Sequence, residues 1–105
     1  MLNSDDKSFL RKAMRKFNIP HVRVENSPSK SRWPDIWVTL YPAVPIITVT
    51  REWARQDAPN RRSRLVHELL HIGGMMHGRK GNLVFSTFPD RDSYSKSVYR
   101  KIVGV

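Results

Sequence analysis

The chain contains no cysteine, so neither a disulfide framework nor a thiolate metal site is open to it. Any metal must be held by histidine, aspartate or glutamate. Acidic residues are also scarce, nine against nineteen lysines and arginines, and Glu25, Glu52 and Glu68 are the only glutamates. No apolar run approaches membrane-spanning length, so a spanning helix is excluded from this sequence and no membrane partner is expected. The first residues lack the basic start, apolar stretch and small-residue cleavage site of a secretory signal, so a soluble, cytoplasmic protein is expected. Repeats and low-complexity tracts are missing too, and the 39% hydrophobic and 10% aromatic content suits a packed core rather than disorder. With 105 residues, the expectation is one small domain spanning 1–105.

The formal charge of +10 favours polyanionic partners, nucleic acid foremost. Its distribution argues the other way. Basic residues fall in separate groups, Lys7, Arg11, Lys12, Arg15 and Lys16 early, Arg61, Arg62 and Arg64 in the middle, Lys96, Arg100 and Lys101 late. Scattered charge of this kind is more often a solvated surface than a binding groove.

Ser4 is placed to cap a helix running to about residue 17, with Asp5 and Asp6 at its positive end and Leu10, Met14 and Phe17 on one face. Asn18 and Pro20 stop it. Residues 21–25 alternate as a half-buried strand carrying a structural His21, and 26–31 form a loop. Two runs rich in β-branched and aromatic residues, 35–41 and 46–50, flank Pro42 and Pro45 and read as a hairpin with a long turn. Asp57, Pro59 and Asn60 open a second helix, whose apolar residues Leu65, Val66, Leu69, Leu70 and Ile72 cover so wide a face that it should be central. Gly73 and Gly74 end it by supplying left-handed conformations. Residues 83–88 could be extended, and a last helix covers about 93–103. The class is therefore α+β.

Within the central helix and just beyond it, His67, Glu68, His71, Gly74 and His77 read H-E-x-x-H-x-x-G-x-x-H without a gap. Residues four apart on a helix share a face, so His67 and His71 can present nitrogens to one ion. Glu68 lies about 100° around from His67, beside such an ion rather than on it, where a general base acts on water. Gly74 allows the chain to turn so that His77 returns toward the same point. Three protein ligands leave one position open, which is the arrangement of a catalytic zinc.

This pattern resembles the signature of the metzincin zinc peptidases. The resemblance implies His67, His71 and His77 as ligands of one Zn2+ ion, Glu68 as catalytic base and acid, and a minimal zincin-like fold. That fold would be a small twisted sheet of three to four strands with an N-terminal helix, a central active-site helix and a C-terminal helix. The chain departs from the family in having no methionine after Met76 for the turn beneath the metal. Either a residue within 83–88 fills that place, or the chain is a minimal zincin outside the main families. Zincins that take a downstream glutamate as third ligand are excluded, because no glutamate follows Glu68, leaving Asp90 or Asp92 as the substitutes for His77.

The expected function is a zinc-dependent metallopeptidase, with a protein or peptide substrate bound extended along a sheet edge. Residues 36–40 are the first choice for that edge and 46–50 the second. Trp33, Trp37 and Trp53 either line subsites or pack the core, and Tyr94 and Tyr99 either donate to the oxyanion or pack the last helix with Val98 and Ile102. Arg61, Arg62 and Arg64 are expected to solvate the start of the active helix or to select acidic side chains. The alternatives are a basic nucleic-acid-associated zinc protein, or a protease targeted to DNA by its charge.

Overall fold

A computed structural model describes residues 2–28, 35–40, 43–73 and 91–104, with side chains from 96 onward in the last segment. It is a small α+β fold in the order α1 (Ser4–Lys16), β1 (Arg23–Asn26), β2 (Ile36–Thr39), β3 (Ile46–Val49), α2 (Arg51–Ala54), α3 (Ala58–Ile72) and α4 (Arg91–Val103). The expected residues 83–88, Gly74, His77, Trp33 and Asp90 lie outside the described residues, as do the side chains of Tyr94 and Asp92.

Helix α1 starts one residue earlier than its sequence suggests. Asn3, not Ser4, is the cap, its side chain accepting from the Asp6 backbone N–H at 2.7 Å. The helix stops as expected at Asn18, which takes φ 56. There the Asn18 and Ile19 N–H groups donate to the carbonyls of Arg15 and Met14 and satisfy the last turn. Phe9, Leu10 and Ala13 face the core, with Met14 and Phe17 half-buried beside them.

The sheet has the order β1-β3-β2. β2 and β3 form the expected antiparallel hairpin, Ile36 opposite Val49 and Val38 opposite Ile47, while β1 joins the far side of β3 in parallel, Val24 beside Ile47. Since β3 is bonded on both sides, the second choice for a substrate edge, 46–50, is ruled out. Alternation puts Ile47 and Val49 on the buried face of β3. His21 stands exposed two residues before β1, not within it as expected.

α2 was not legible as a helix. It is a single turn capped by Thr50, whose Oγ1 accepts from the Trp53 N–H at 3.3 Å. α3 is capped by Asp57 accepting from the Asn60 N–H at 3.0 Å and carries Pro59 in its first turn. Leu65, Val66 and Leu69 are fully buried, and α1, β2 and α4 all pack on this helix. α3 is thus the central element. It ends at Gly73 with φ −73, so the left-handed conformation expected of that glycine is not used there. Among the described residues no helix is long and apolar enough to cross a membrane.

Candidate metal centre

At 3.6 residues per turn, Arg64, His67, Glu68 and His71 fall within a sector of about 100° on α3. This face is less apolar than the one formed by Leu65, Val66 and Leu69, and it looks toward the start of β2. The His67 and His71 rings meet edge to face, centroids 4.7 Å apart at 81°, and bring their Nε2 atoms to 3.1 Å. With one ring protonated at Nε2 this is a hydrogen bond. The same convergence suits a shared cation, because two nitrogens at about 2.0–2.1 Å from one tetrahedral zinc stand roughly 3.3 Å apart. The pair therefore fits the metal that its motif implies. Among the described residues no group of three potential ligands forms, the motif's third histidine, His77, lying outside them.

Glu68 is buried at 6% exposure. Burial pushes its carboxyl up to about 8, the negative charge of Asp35 pushes in the same direction, and the Arg64 guanidinium opposes both. Such a carboxyl holds its proton through neutral pH in the metal-free protein. A cation nearby would act in the opposite sense and favour the carboxylate.

Beneath Glu68 lies a polar network that the sequence did not suggest. Asp35 is 2% exposed, and its carboxylate accepts from Arg64 Nη1 at 3.2 Å and from Gln56 Nε2. Gln56 Oε1 accepts in turn from Arg64 Nε at 2.9 Å, closing the ring of three side chains. The Asp35 carbonyl accepts from Thr50 N and Oγ1 at 3.0 and 2.7 Å, so the strand start, the turn into α2 and the helix below Glu68 are tied together.

A second buried acid, Asp6 of α1, is fully enclosed. It accepts from Arg61 Nε and Nη2 at 3.2 and 3.3 Å and from Arg62 Nε at 3.3 Å. The expectation that Arg61, Arg62 and Arg64 solvate the helix start or face a substrate is thereby corrected. All three neutralise interior carboxylates, because a buried carboxylate needs charge-assisted donors to offset its lost hydration. Asp6 likewise does more than complement the α1 dipole.

Of the aromatic candidates, Trp53 is fully buried with its indole N–H donating to the Arg61 carbonyl at 3.1 Å, so it belongs to the core. Trp37 is half-buried on β2. Tyr99 packs its ring 5.4 Å from Phe9 while Val98 and Ile102 join the core, which is the packing role for that tyrosine. His67 and His71 meet through their rings, with Glu68 the residue after His67 on the same helix; the network under Glu68 could have been sought only by asking what would balance three clustered arginines. No family model matches the chain, and no curated protein or solved structure does either.

Proposed function

We propose that the protein is a zinc-dependent metallopeptidase, with His67, His71 and His77 as ligands of one zinc ion and Glu68 as the proton-transferring group. The observation that carries this reading is the approach of His67 Nε2 to His71 Nε2 at 3.1 Å beside a buried carboxyl on the next position of the helix. The contiguous H-E-x-x-H-x-x-G-x-x-H of residues 67–77 supports the same reading, and so does an α+β fold with this helix at its centre.

A bound zinc supplies Lewis acidity toward the peptide carbonyl and toward water. The remaining work belongs to the chain. Glu68 accepts a proton from water as its oxygen adds to the carbonyl carbon, and delivers that proton to the amine nitrogen as the C–N bond breaks. A carboxyl with a strong intrinsic hold on its proton suits the second half of this cycle, and its burial keeps competing water away. His67 and His71, on a helix held by core packing and by the Arg64–Asp35 bond, would hold the ion through Nε2 atoms that already stand 3.1 Å apart, which limits the reorganisation needed to bind it. The substrate lies extended along β2, the outer strand that packs on α3, where main-chain hydrogen bonds would hold it across the site.

Metal analysis beside a peptide-hydrolysis assay of wild type and Glu68→Gln tests the proposal. Wild type should hold one zinc per chain and cleave, and the variant should keep the zinc and lose cleavage by at least a hundredfold, the scale of general-base catalysis, about 10²–10⁴. Cleavage surviving in the variant would remove Glu68 from the mechanism.

A further inference from the structure

We propose that the outer faces of α1 and α4 form one docking surface for the phosphodiester backbone of nucleic acid. The proposal is independent of the peptidase reading. It starts from where the positive charge is left once the fold has used what it needs. Among the described residues the ion pairs are Arg23–Glu25, Arg55–Glu52, Arg61 and Arg62 with Asp6, and Arg64–Asp35. None involves a cation of α1, or Lys96, Arg100 or Lys101 of α4. The mid-chain Arg61, Arg62 and Arg64 are absorbed by interior carboxylates, so among the described residues most of the exposed cations outside ion pairs stand on these two helices.

The helices are neighbours. Phe9 of α1 meets Tyr99 of α4 with ring centroids 5.4 Å apart, and this contact is a seam between them. Lys12 and Lys16 follow Phe9 by about one and two turns on the same side of α1, and Lys96 precedes Tyr99 by about one turn on α4. Cations therefore line both sides of the seam. Lys12, Arg15, Lys16, Lys96, Arg100 and Lys101 are all exposed. Asp5, at the amino end, is the one exposed acid of α1, and residues 96–104 contain none. Lys12 and Lys16, like Lys96 and Arg100, stand four residues apart, about 6 Å along their helix axes. That is a regular row of cations of the kind a phosphodiester strand can follow.

The same surface suits the other polyanions less well. A helix that lies on a membrane turns apolar side chains outward. Here Leu10 and Ala13 of α1 and Ile102 of α4 are buried in the core, and the one large exposed apolar side chain among the described residues is Leu40, beside β2. Specific protein partners are anchored by aromatic or aliphatic side chains at the centre of an interface, and among the described residues of α1 and α4 no large apolar side chain is exposed. What remains is recognition by charge and spacing, which is the sequence-independent mode of nucleic-acid binding.

The test is fluorescence anisotropy of the full chain on a labelled mixed-sequence DNA duplex across a series of salt concentrations. Wild type should bind with a linear loss of log affinity against log salt. Replacing four cations together, Lys12→Gln, Lys16→Gln, Lys96→Gln and Arg100→Gln, should weaken binding at least tenfold at fixed salt. The same change should reduce the slope by about 3 to 4, at roughly 0.9 for each phosphate that is no longer neutralised. Arg51→Gln, an exposed cation of α2, should stay within twofold of wild type. Glu68→Gln and zinc removal should leave the affinity where it was, so hydrolysis and DNA binding can fail separately. The proposal is overturned if duplex binding is absent, if Arg51→Gln costs as much as the quadruple change, or if polyglutamate or anionic lipid vesicles bind as tightly as the duplex.

Discussion

Arg64 donates through Nη1 to Asp35 Oδ1 at 3.2 Å, and this bond joins the first residue before β2 to the helix that carries His67, Glu68 and His71. One partner is almost wholly enclosed, with 3% of the Asp35 side chain exposed against 27% for Arg64. The bond therefore places the outer strand of the sheet and the site-bearing helix in a fixed relation.

Asp35→Ala should lower the stability of the protein by about 2–3 kcal/mol, somewhat less than the 3–5 typical of breaking a fully buried pair, because Arg64 can still reach water. Chemical denaturation of the two proteins measures the difference. A loss below about 0.5 kcal/mol would mean that the carboxylate contributes nothing beyond its desolvation cost.

Asp6→Ala should cost more, about 3–5 kcal/mol, since Asp6 is fully enclosed and its removal leaves both Arg61 and Arg62 without their partner. The stability of Asp6→Asn should lie between that of wild type and that of the alanine variant. An asparagine can still accept one of the three donors, but without charge.

In the metal-free protein, Glu68 should make stability fall as pH rises. Below about pH 4 the carboxyl is protonated in folded and unfolded chains alike, and its burial carries no charge penalty. Between there and about pH 8 the unfolded chain releases the proton while the folded chain retains it, so the balance shifts toward unfolding across this window and levels off above it. The span is on the order of 5 kcal/mol. Glu68→Gln should flatten this part of the profile, and subtracting the two denaturation curves isolates Glu68 from the histidines. Parallel profiles would contradict the raised pKa.

Zinc should stabilise wild type by mass action, about 2.7 kcal/mol at a hundredfold excess over the dissociation constant, and should not stabilise His71→Ala to that degree. Thermal denaturation with and without chelator, on wild type, His67→Ala, His71→Ala and His77→Ala, would read each ligand separately. A zinc-dependent rise in Tm that persists undiminished in His77→Ala would transfer the third ligand to Asp90 or Asp92.

Gly73→Ala should change stability by less than about 1 kcal/mol, and in the favourable direction, because the backbone there is right-handed and alanine reduces the freedom of the unfolded chain. A Cβ at this position would meet only the Leu70 and Leu69 carbonyls at 3.5 and 3.6 Å, ordinary contact distances. Circular dichroism melts suffice to check it.

The parts of this architecture that could be read in the chain are those governed by local rules. Asp57, Pro59 and the apolar spacing of α3 announced a central helix, the alternation in 36–39 and 46–49 announced a hairpin, and the four-residue spacing of His67 and His71 announced their shared face. The parts that escaped depend on partners distant in sequence. Asp6 looked like a dipole-complementing residue, and its neutralisation by Arg61 and Arg62 becomes visible only when α1 lies against α3. Pairing of β1 with β3 in parallel has no local signature either, since alternation is the same whichever direction a neighbour runs. The one-turn α2 was hidden because four residues are too few to show a helical period.

The position of β3 between β1 and β2 also has a bearing on assembly. Of the three strands it is the last to be synthesised, and the other two make their ladder bonds to it rather than to each other. Until Ile46–Val49 has emerged, the residues of β1 have no strand to pair with, however early they are made. The hairpin can close first, over a short loop, and β1 must then dock across a larger one, whose closure entropy opposes it until the ladder forms. The sheet is therefore expected to assemble from its carboxyl-terminal strand outward, and a mutation in β3 should slow folding more than an equally destabilising one in β1.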